Sequence, residues 1–296
     1  MTDKMKELTV RAISGAVLVA VIVGTLYASP TAFAAVAFVI LVCGMKEFYS
    51  LAEAQGAQPM KYIGISLGIA IFYVALRLMN VSEFNFIIVA ALPSLLYIML
   101  ALPAMFALRL FRTGGNPAAD LGTTLLGPAY VAVPMSLILL LPRFVTHSVW
   151  NPTVILFIIL TVFANDVFAY LFGMAANAIT GGRTHKMFER ISPKKTWEGF
   201  AGGIAGALAM GGIASAVLPV NVWGWLGLSV VVAVAAVAGD LVESMFKRAA
   251  GVKDSGRAIP GHGGFLDRFD ALLLAVDAAV IYLIVVYPFF EPPFIH

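Results

Sequence analysis

Charge is scarce in this sequence. Asp, Glu, Lys and Arg together make up 12% of its 296 residues, about half the roughly 25% of a soluble globular chain. That is too little to cover a water-facing surface, so a soluble enzyme or a soluble binding module is excluded. Cysteine is rarer still. The single Cys43 lies inside an apolar run, so no intrachain disulfide, cysteine metal site or redox pair can be built from it. It reads as a small buried apolar residue. No internal repeat is visible, and no Ser- or Pro-rich linker divides the chain. The net charge of +3 is modest, no nucleic-acid partner is expected, and the placement of the charges says more than their sum.

What is abundant is apolar surface: 61% of residues are hydrophobic and the mean hydropathy is +0.94. A bilayer core about 30 Å thick is crossed by roughly 20 apolar helical residues. Nine stretches qualify, at residues 10–28, 31–53, 61–79, 84–111, 119–141, 153–177, 197–218, 221–249 and 268–289. The fourth contains Pro93 and Pro103 and is read as one tilted, kinked helix. Lys4 and Lys6 ahead of the run from Val10 superficially resemble a secretory signal. The run is long and many spans follow it, so it is expected to remain as the first span.

Nine spans with a cytoplasmic N-terminus put every lysine and arginine except Arg77 and Arg143 on the cytoplasmic side, the asymmetry that the positive-inside rule demands. Splitting the fourth span would destroy it. The expected fold is an all-α integral membrane protein of about nine transmembrane helices, with the N-terminus cytoplasmic and the C-terminus outside. Residues 1–150 are almost purely apolar and read as scaffold, with a dimer-forming or lipid-facing role. Residues 151–296 carry acids within spans and two polar cytoplasmic loops, at 178–196 and 250–267, so the chemistry is expected there.

An ionisable side chain inside a span costs about 2.5–3.5 kcal/mol and usually faces a cavity or a partner. Such residues here are Asp166, Asp240, Glu243 and Asp277, with Asp267 and Asp270 at the mouth of the last span. Asp240 and Glu243 share a helix face by their spacing of three, as do Asp267 and Asp270. Carboxylates converging at one membrane face repel unless a hard divalent cation such as Mg²⁺ sits among them, completing its shell with substrate phosphate oxygens. The competing reading pairs these acids with Arg268, Lys247 and Arg248. His147, Asp277 and Glu291 are read as structural.

The loop between these acids sharpens the inference. Lys247, Arg248 and Lys253 precede a turn of Pro260, Gly261, His262, Gly263 and Gly264, which leads into the helix that begins with Asp267-Arg268. Glycines let backbone N–H groups approach an anion, and a helix N-terminus favours negative charge. Carboxylates for a metal and cations for phosphates suit phosphoryl or nucleotidyl transfer, where catalysis is mainly positioning and charge neutralisation. A solvated loop is the bland alternative. Upstream, Ser192-Pro193 reads as a turn, Lys194 and Lys195 as phosphate ligands or anchors on anionic lipid, and Thr196 as the cap of a helix starting at Trp197. Gly202, Gly203 and Gly206 would thin a helix face for close packing or a lipid groove.

From Ser244 the chain runs Ser-Met-Phe-Lys-Arg, then Lys253-Asp254, Gly256, Ile259-Pro260, His262-Gly263-Gly264-Phe265 and Asp267-Arg268-Phe269-Asp270. This resembles the signature of the phosphatidate cytidylyltransferases (CDP-diacylglycerol synthases) at every defining position over 27 residues. The run Ile191 to Gly199 with Gly202-Gly203 is similar to a second block of that family, and Asn165-Asp166 with Ala169-Tyr170 and Gly173 to a third. Val167-Phe168 depart from it, because the family usually has a small pair there.

The resemblance implies transfer of CMP from CTP to phosphatidate, giving CDP-diacylglycerol and pyrophosphate, at a Mg²⁺-dependent site on the cytoplasmic face, with room for a second cation left open. It implies Asp240 and Asp267 as metal ligands, with Asp166 and Asp270 near the metal or orienting its waters. Lys253 is grouped with these acids as catalytic, along with His262, a phosphate-facing donor rather than a base. Ser192, Lys194, Lys195, Lys247, Arg248, Gly263, Gly264 and Arg268 would bind the substrate phosphates. Partners are CTP, phosphatidate and membrane lipids, with a homodimer also open, and the location is a bacterial inner membrane. Alternative acceptors are an isoprenoid ether lipid or a polyprenol. The rival of another class is a cation-coupled transporter, which would place acids near the midplane and often show repeats.

Overall fold

The computed structural model describes residues 3–79, 84–146 and 150–290; His147 and Glu291 lie outside them. The described chain is mostly helical, with one small hairpin. The helices are α1 (Asp3–Ala28), α2 (Pro30–Ala54), α3 (Lys61–Met79), α4 (Phe84–Leu110), α5 (Pro117–Gly127), α6 (Val133–Leu137), α7 (Leu141–Thr146), α8 (Pro152–Ile179), α9 (Trp197–Val217), α10 (Val222–Ala249) and α11 (Leu266–Val285). Among the described residues, seven stretches are long and apolar enough to cross a membrane: Thr9–Ala28, Pro30–Ala54, Lys61–Met79, Ala91–Leu110, Pro152–Ile179, Trp197–Val217 and Val222–Ala249. The protein is therefore an all-α, multi-pass membrane protein.

Three local outcomes bear on the sequence reading. Helix α4 runs unbroken through Pro93 and Pro103. The stretch read as a fifth span is not one regular helix: α5 passes into a π-helical turn, Pro128–Ala132, and then α6. Pro128 and Pro134 each lack the N–H that a regular ladder requires, and the looser π register absorbs the defect. Ser192-Pro193 is not a turn. It opens strand β2 (Ser192–Thr196), which pairs antiparallel with β1 (Lys186–Phe188), Lys186 opposite Thr196 and Phe188 opposite Ser192. The reversal falls at residues 189–191, and the fixed φ of Pro193 is compatible with an edge strand.

The chain forms two compact units. The first comprises Met1–Leu140 with Phe246–Phe269, the second Leu141–Met245 with Asp270–His296. In the first, the Tyr49 hydroxyl donates to the Thr124 carbonyl at 2.8 Å and the Met60 N–H to Thr124 Oγ1 at 2.8 Å. Phe48, Tyr130 and Phe246 form a triangle of rings with centroids 5.5 to 5.8 Å apart. Arg109 is buried, 3.0 Å from the buried Asp120.

In the second unit, α9 presents its glycines to α8. A methyl group at Gly202 would lie 2.3 Å from Phe172, one at Gly203 2.5 Å from Asn165 Oδ1, and one at Gly206 2.6 Å from the Phe168 ring. The glycine face is thus a packing face. Phe168, half of the departure from the family pattern, is seated on Gly206. At Gly239 on α10 a Cβ would meet the Asp270 carbonyl at 2.4 Å. That close approach sets Asp240 beside Asp270.

Candidate active site

In the second unit the hairpin and the capped helix carry the cations. Thr196 is extended, and its Oγ1 accepts the Gly199 N–H at 3.1 Å, which starts α9 as expected. Lys195, held in the strand just before the cap, places Nζ 2.6 Å from Asp240 Oδ2 and 3.3 Å from the Val237 carbonyl. The Ser244 hydroxyl donates to Asp240 Oδ1 at 3.3 Å. Asp240, Lys195, the exposed Lys194 and Asp166 line one cavity of about 560 Å³, together with Lys186 and Asn177. Ser192, half-buried at the start of the strand, is not part of that lining.

The acids converge next to this cavity. Asp240, Glu243 and Asp270 each offer a carboxylate oxygen within 4.8 Å of the others. Asp240 and Glu243 lie one turn apart on α10. Glu243 has no solvent exposure. Three carboxylates this close, with Lys195 on one of them, form the oxygen-donor set that a hard divalent cation takes. These three residues would hold such an ion, and when bound it would neutralise charge on phosphate oxygens. Glu243 belongs to this group although the sequence reading left it out of the metal set; its i, i+3 spacing from Asp240 was the available signal. Lys186 in the cavity was also not foreseen.

The first unit holds the glycine-rich loop. Asp267 is not in the carboxylate trio. Its Oδ1 accepts from Lys247 Nζ at 2.7 Å, and its Oδ2 from the N–H of Ser255 at 2.8 Å, the Ser255 hydroxyl at 2.9 Å and the N–H of Gly264 at 2.8 Å. Asp267 lies one residue ahead of the apolar stretch 268–289. Burial pushes its carboxyl upward, but the Lys247 ammonium and the loop N–H groups outweigh that and hold it below the usual carboxylate range. Gly263 turns with φ +84° in the left-handed region, and a Cβ there would lie 2.7 Å from Asp267 Oδ2. His262 Nδ1 is 2.7 Å from Ser14 Oγ on α1, which is also 2.9 Å from the Pro260 carbonyl.

Glu47 on α2 was not anticipated at all. Its Oε1 accepts the Phe265 N–H at 3.0 Å and its Oε2 the Leu266 N–H at 2.7 Å, with the Ser255 hydroxyl 3.2 Å away. Arg248 donates to the Val252 carbonyl at 3.2 Å, closing the end of α10. Lys253 and Arg268 are exposed. Asp277, seven residues past Asp270 on α11, joins neither group.

A membrane-embedded helical protein with clustered carboxylates, cavity lysines and a clamped glycine-rich loop is equipped to handle phosphate groups and a cation. The comparisons with known proteins agree with that class. Residues 9–286 match the Cytidylyltransferase family. The chain is 30% identical over 305 residues to a phosphatidate cytidylyltransferase of Synechocystis, covering 95% of this chain and 98% of that one. It is 44% identical over 135 residues to a phosphatidate cytidylyltransferase of Staphylococcus aureus, and 43% over 132 residues to one of Staphylococcus epidermidis; each match covers 44% of this chain and 48% of the relative. The chain belongs to the cytidylyltransferase family, and it is a nucleotidyltransferase built into a membrane.

Proposed function

We propose that this chain transfers CMP from CTP to phosphatidate. A phosphate oxygen of phosphatidate attacks the α-phosphorus of CTP, a new P–O bond forms, the bond from the α-phosphorus to the bridging oxygen breaks, and pyrophosphate leaves with that oxygen. The products are CDP-diacylglycerol and pyrophosphate. Phosphatidate already carries an ionised oxygen, so the protein need not supply a strong base. The observation that carries this reading is the cavity in which Lys195 sits 2.6 Å from Asp240, on a carboxylate that is also part of the three-acid group. Lys195 and Lys194 would offset triphosphate charge, while Asp240, Glu243 and Asp270 would hold Mg²⁺, with Asp166 in the lining of the same cavity.

The protein crosses a bacterial inner membrane nine times, with residues 119–141 as the fifth span and 268–289 as the ninth, the N-terminus in the cytoplasm and the C-terminus outside. The site opens to the cytoplasm, where CTP is, and to the leaflet, where the lipid is. The chemistry lies in residues 151–296, with scaffold in 1–150; Ser14 and Glu47 are what the scaffold adds. Ser192, Lys247, Arg248, Lys253, His262, Gly263, Gly264 and Arg268 serve the phosphates, with Asp267 ordering the loop that carries the last of them.

The test is direct. Purified protein in detergent is given phosphatidate, CTP and Mg²⁺, and pyrophosphate and CMP-containing lipid are measured alongside the Asp240→Asn variant. Turnover in the parent and its loss in a still-folded variant is the expected result. Transfer to a polyprenol or an ether lipid but not to phosphatidate would replace the acceptor. No CTP turnover with any lipid would refute the proposal.

A further inference from the structure

We propose that Glu47 is a positioning residue that holds the glycine-rich loop in its working conformation from a helix 218 residues away in sequence. The inference rests on the phosphate-handling role given to that loop above. Three features of the first unit carry it.

First, the N–H groups of Phe265, just ahead of helix α11, and of Leu266, its first residue, have no intrahelical acceptor, as at any helix start. Glu47 supplies one carboxylate oxygen to each, at 3.0 and 2.7 Å. This does the work of a side-chain cap from another helix, with charge-assisted bonds and a favourable helix dipole.

Second, the Ser255 hydroxyl lies 3.2 Å from Glu47 Oε2 and 2.9 Å from Asp267 Oδ2. One serine therefore joins the clamp from α2 to the clamp at the base of α11.

Third, two loop glycines have no room for a side chain because of Glu47. A methyl at Gly256 would lie 2.4 Å from Glu47 Oε1, and one at Gly264 2.4 Å from Oε2. Neither glycine is among those with left-handed φ, so space rather than backbone conformation excludes the side chain. The loop wraps the carboxylate. An acid placed in the apolar stretch 31–53 is costly, and these contacts give it a reason to be there. Its oxygens are turned to the loop, so Glu47 acts through the loop and not on the reacting atoms.

The test uses the full chain in detergent and the variants Glu47→Gln, Glu47→Ala, Gly256→Ala and the Glu47→Ala/Gly256→Ala double. Lys253 and Arg257 are exposed in the loop, so the rate of tryptic cleavage there reports loop opening without any need for activity. Glu47→Gln keeps the shape and removes the charge. It should speed that cleavage roughly tenfold, the factor expected for losing one hydrogen bond to a charged acceptor. It should raise the KM for CTP by a similar factor. A merely structural role would lower the active fraction and leave the KM for CTP alone.

Gly256→Ala should open the loop in the parent and add nothing in the Glu47→Ala background, because its clash is with Glu47. Parent-like cleavage and CTP KM in Glu47→Gln, or full additivity in the double variant, would overturn the proposal. If Glu47→Ala does not fold, Glu47→Gln decides. If the parent itself fails to turn over phosphatidate and CTP, the proposed function falls. Loop cleavage in Glu47→Gln and its coupling to Gly256 would still decide the role of Glu47.

Discussion

Replacing Asp267 and Asp240 in turn by asparagine separates structure from chemistry in this protein. Asp267 and Lys247 are 3% and 12% exposed in their side chains and 2.7 Å apart. Removing one member of so buried a pair strands the other, which typically costs about 3–5 kcal/mol. The amide of asparagine would also turn a donor toward Lys247 or toward the N–H groups of Ser255 and Gly264. Asp240 and Lys195 are 38% and 24% exposed. Solvent screens that pair, so its loss should cost at most about 1 kcal/mol.

The assay is thermal unfolding of purified protein in detergent, with and without Mg²⁺, together with pyrophosphate release. Asp267→Asn should melt several degrees below the parent yet still be stabilised by Mg²⁺. Asp240→Asn should melt close to the parent, lose the stabilisation that ion binding to the folded state confers, and lose activity. The reverse pattern, with Asp267→Asn melting like the parent and blind to Mg²⁺, would refute the assignment of the carboxylate trio and return Asp267 to the metal.

The depressed carboxyl of Asp267 gives a pH dependence of defined sign. A group with a lowered folded-state pKa contributes stability above the unfolded value of about 3.9, and that contribution disappears as pH falls through the folded value. The melting difference between parent and Asp267→Asn should therefore be constant from pH 7 to 5 and shrink below about pH 4; a constant difference down to pH 3 would contradict it. Lys195→Met should reduce kcat/KM for CTP by roughly 10²-fold, the scale of a lost charge-assisted contact, measured by steady-state kinetics with the lipid held saturating. Gly203→Ala would bring a methyl within 2.5 Å of Asn165 Oδ1 and 3.0 Å of its carbonyl. Overpacking of that kind costs about 1–3 kcal/mol and should appear as a lower melting temperature, whereas alanine at Gly212, where nothing lies within 4 Å, should be tolerated.

Much of the site was readable where neighbours in sequence are neighbours in space. Thr196 caps α9 because its hydroxyl reaches only three residues ahead. Asp240 and Glu243 share a face because a helix turn puts residues three apart together. The hairpin at 186–196 was not read, since its pairing depends on few residues and Ser192-Pro193 also suits a turn. The grouping of the carboxylates was half legible. Asp267 and Asp270 look equivalent by spacing, but Lys247, Ser255 and Gly264 engage the first, whereas Gly239 lets α10 approach the backbone of the second.

Glu47 carried one local signal, an acid in an apolar stretch, but nothing local named its partners, which are loop N–H groups more than two hundred residues later. Composition and short-range spacing determined that the chain lives in a membrane, is helical, and carries acids and cations suited to phosphate chemistry. Those properties depend on how much apolar surface there is and on fixed helical geometry. Only the tertiary structure decided which carboxylates meet, which one is spent on ordering a loop, and why particular glycines are glycine, because each of those outcomes is set by how closely two distant segments can approach.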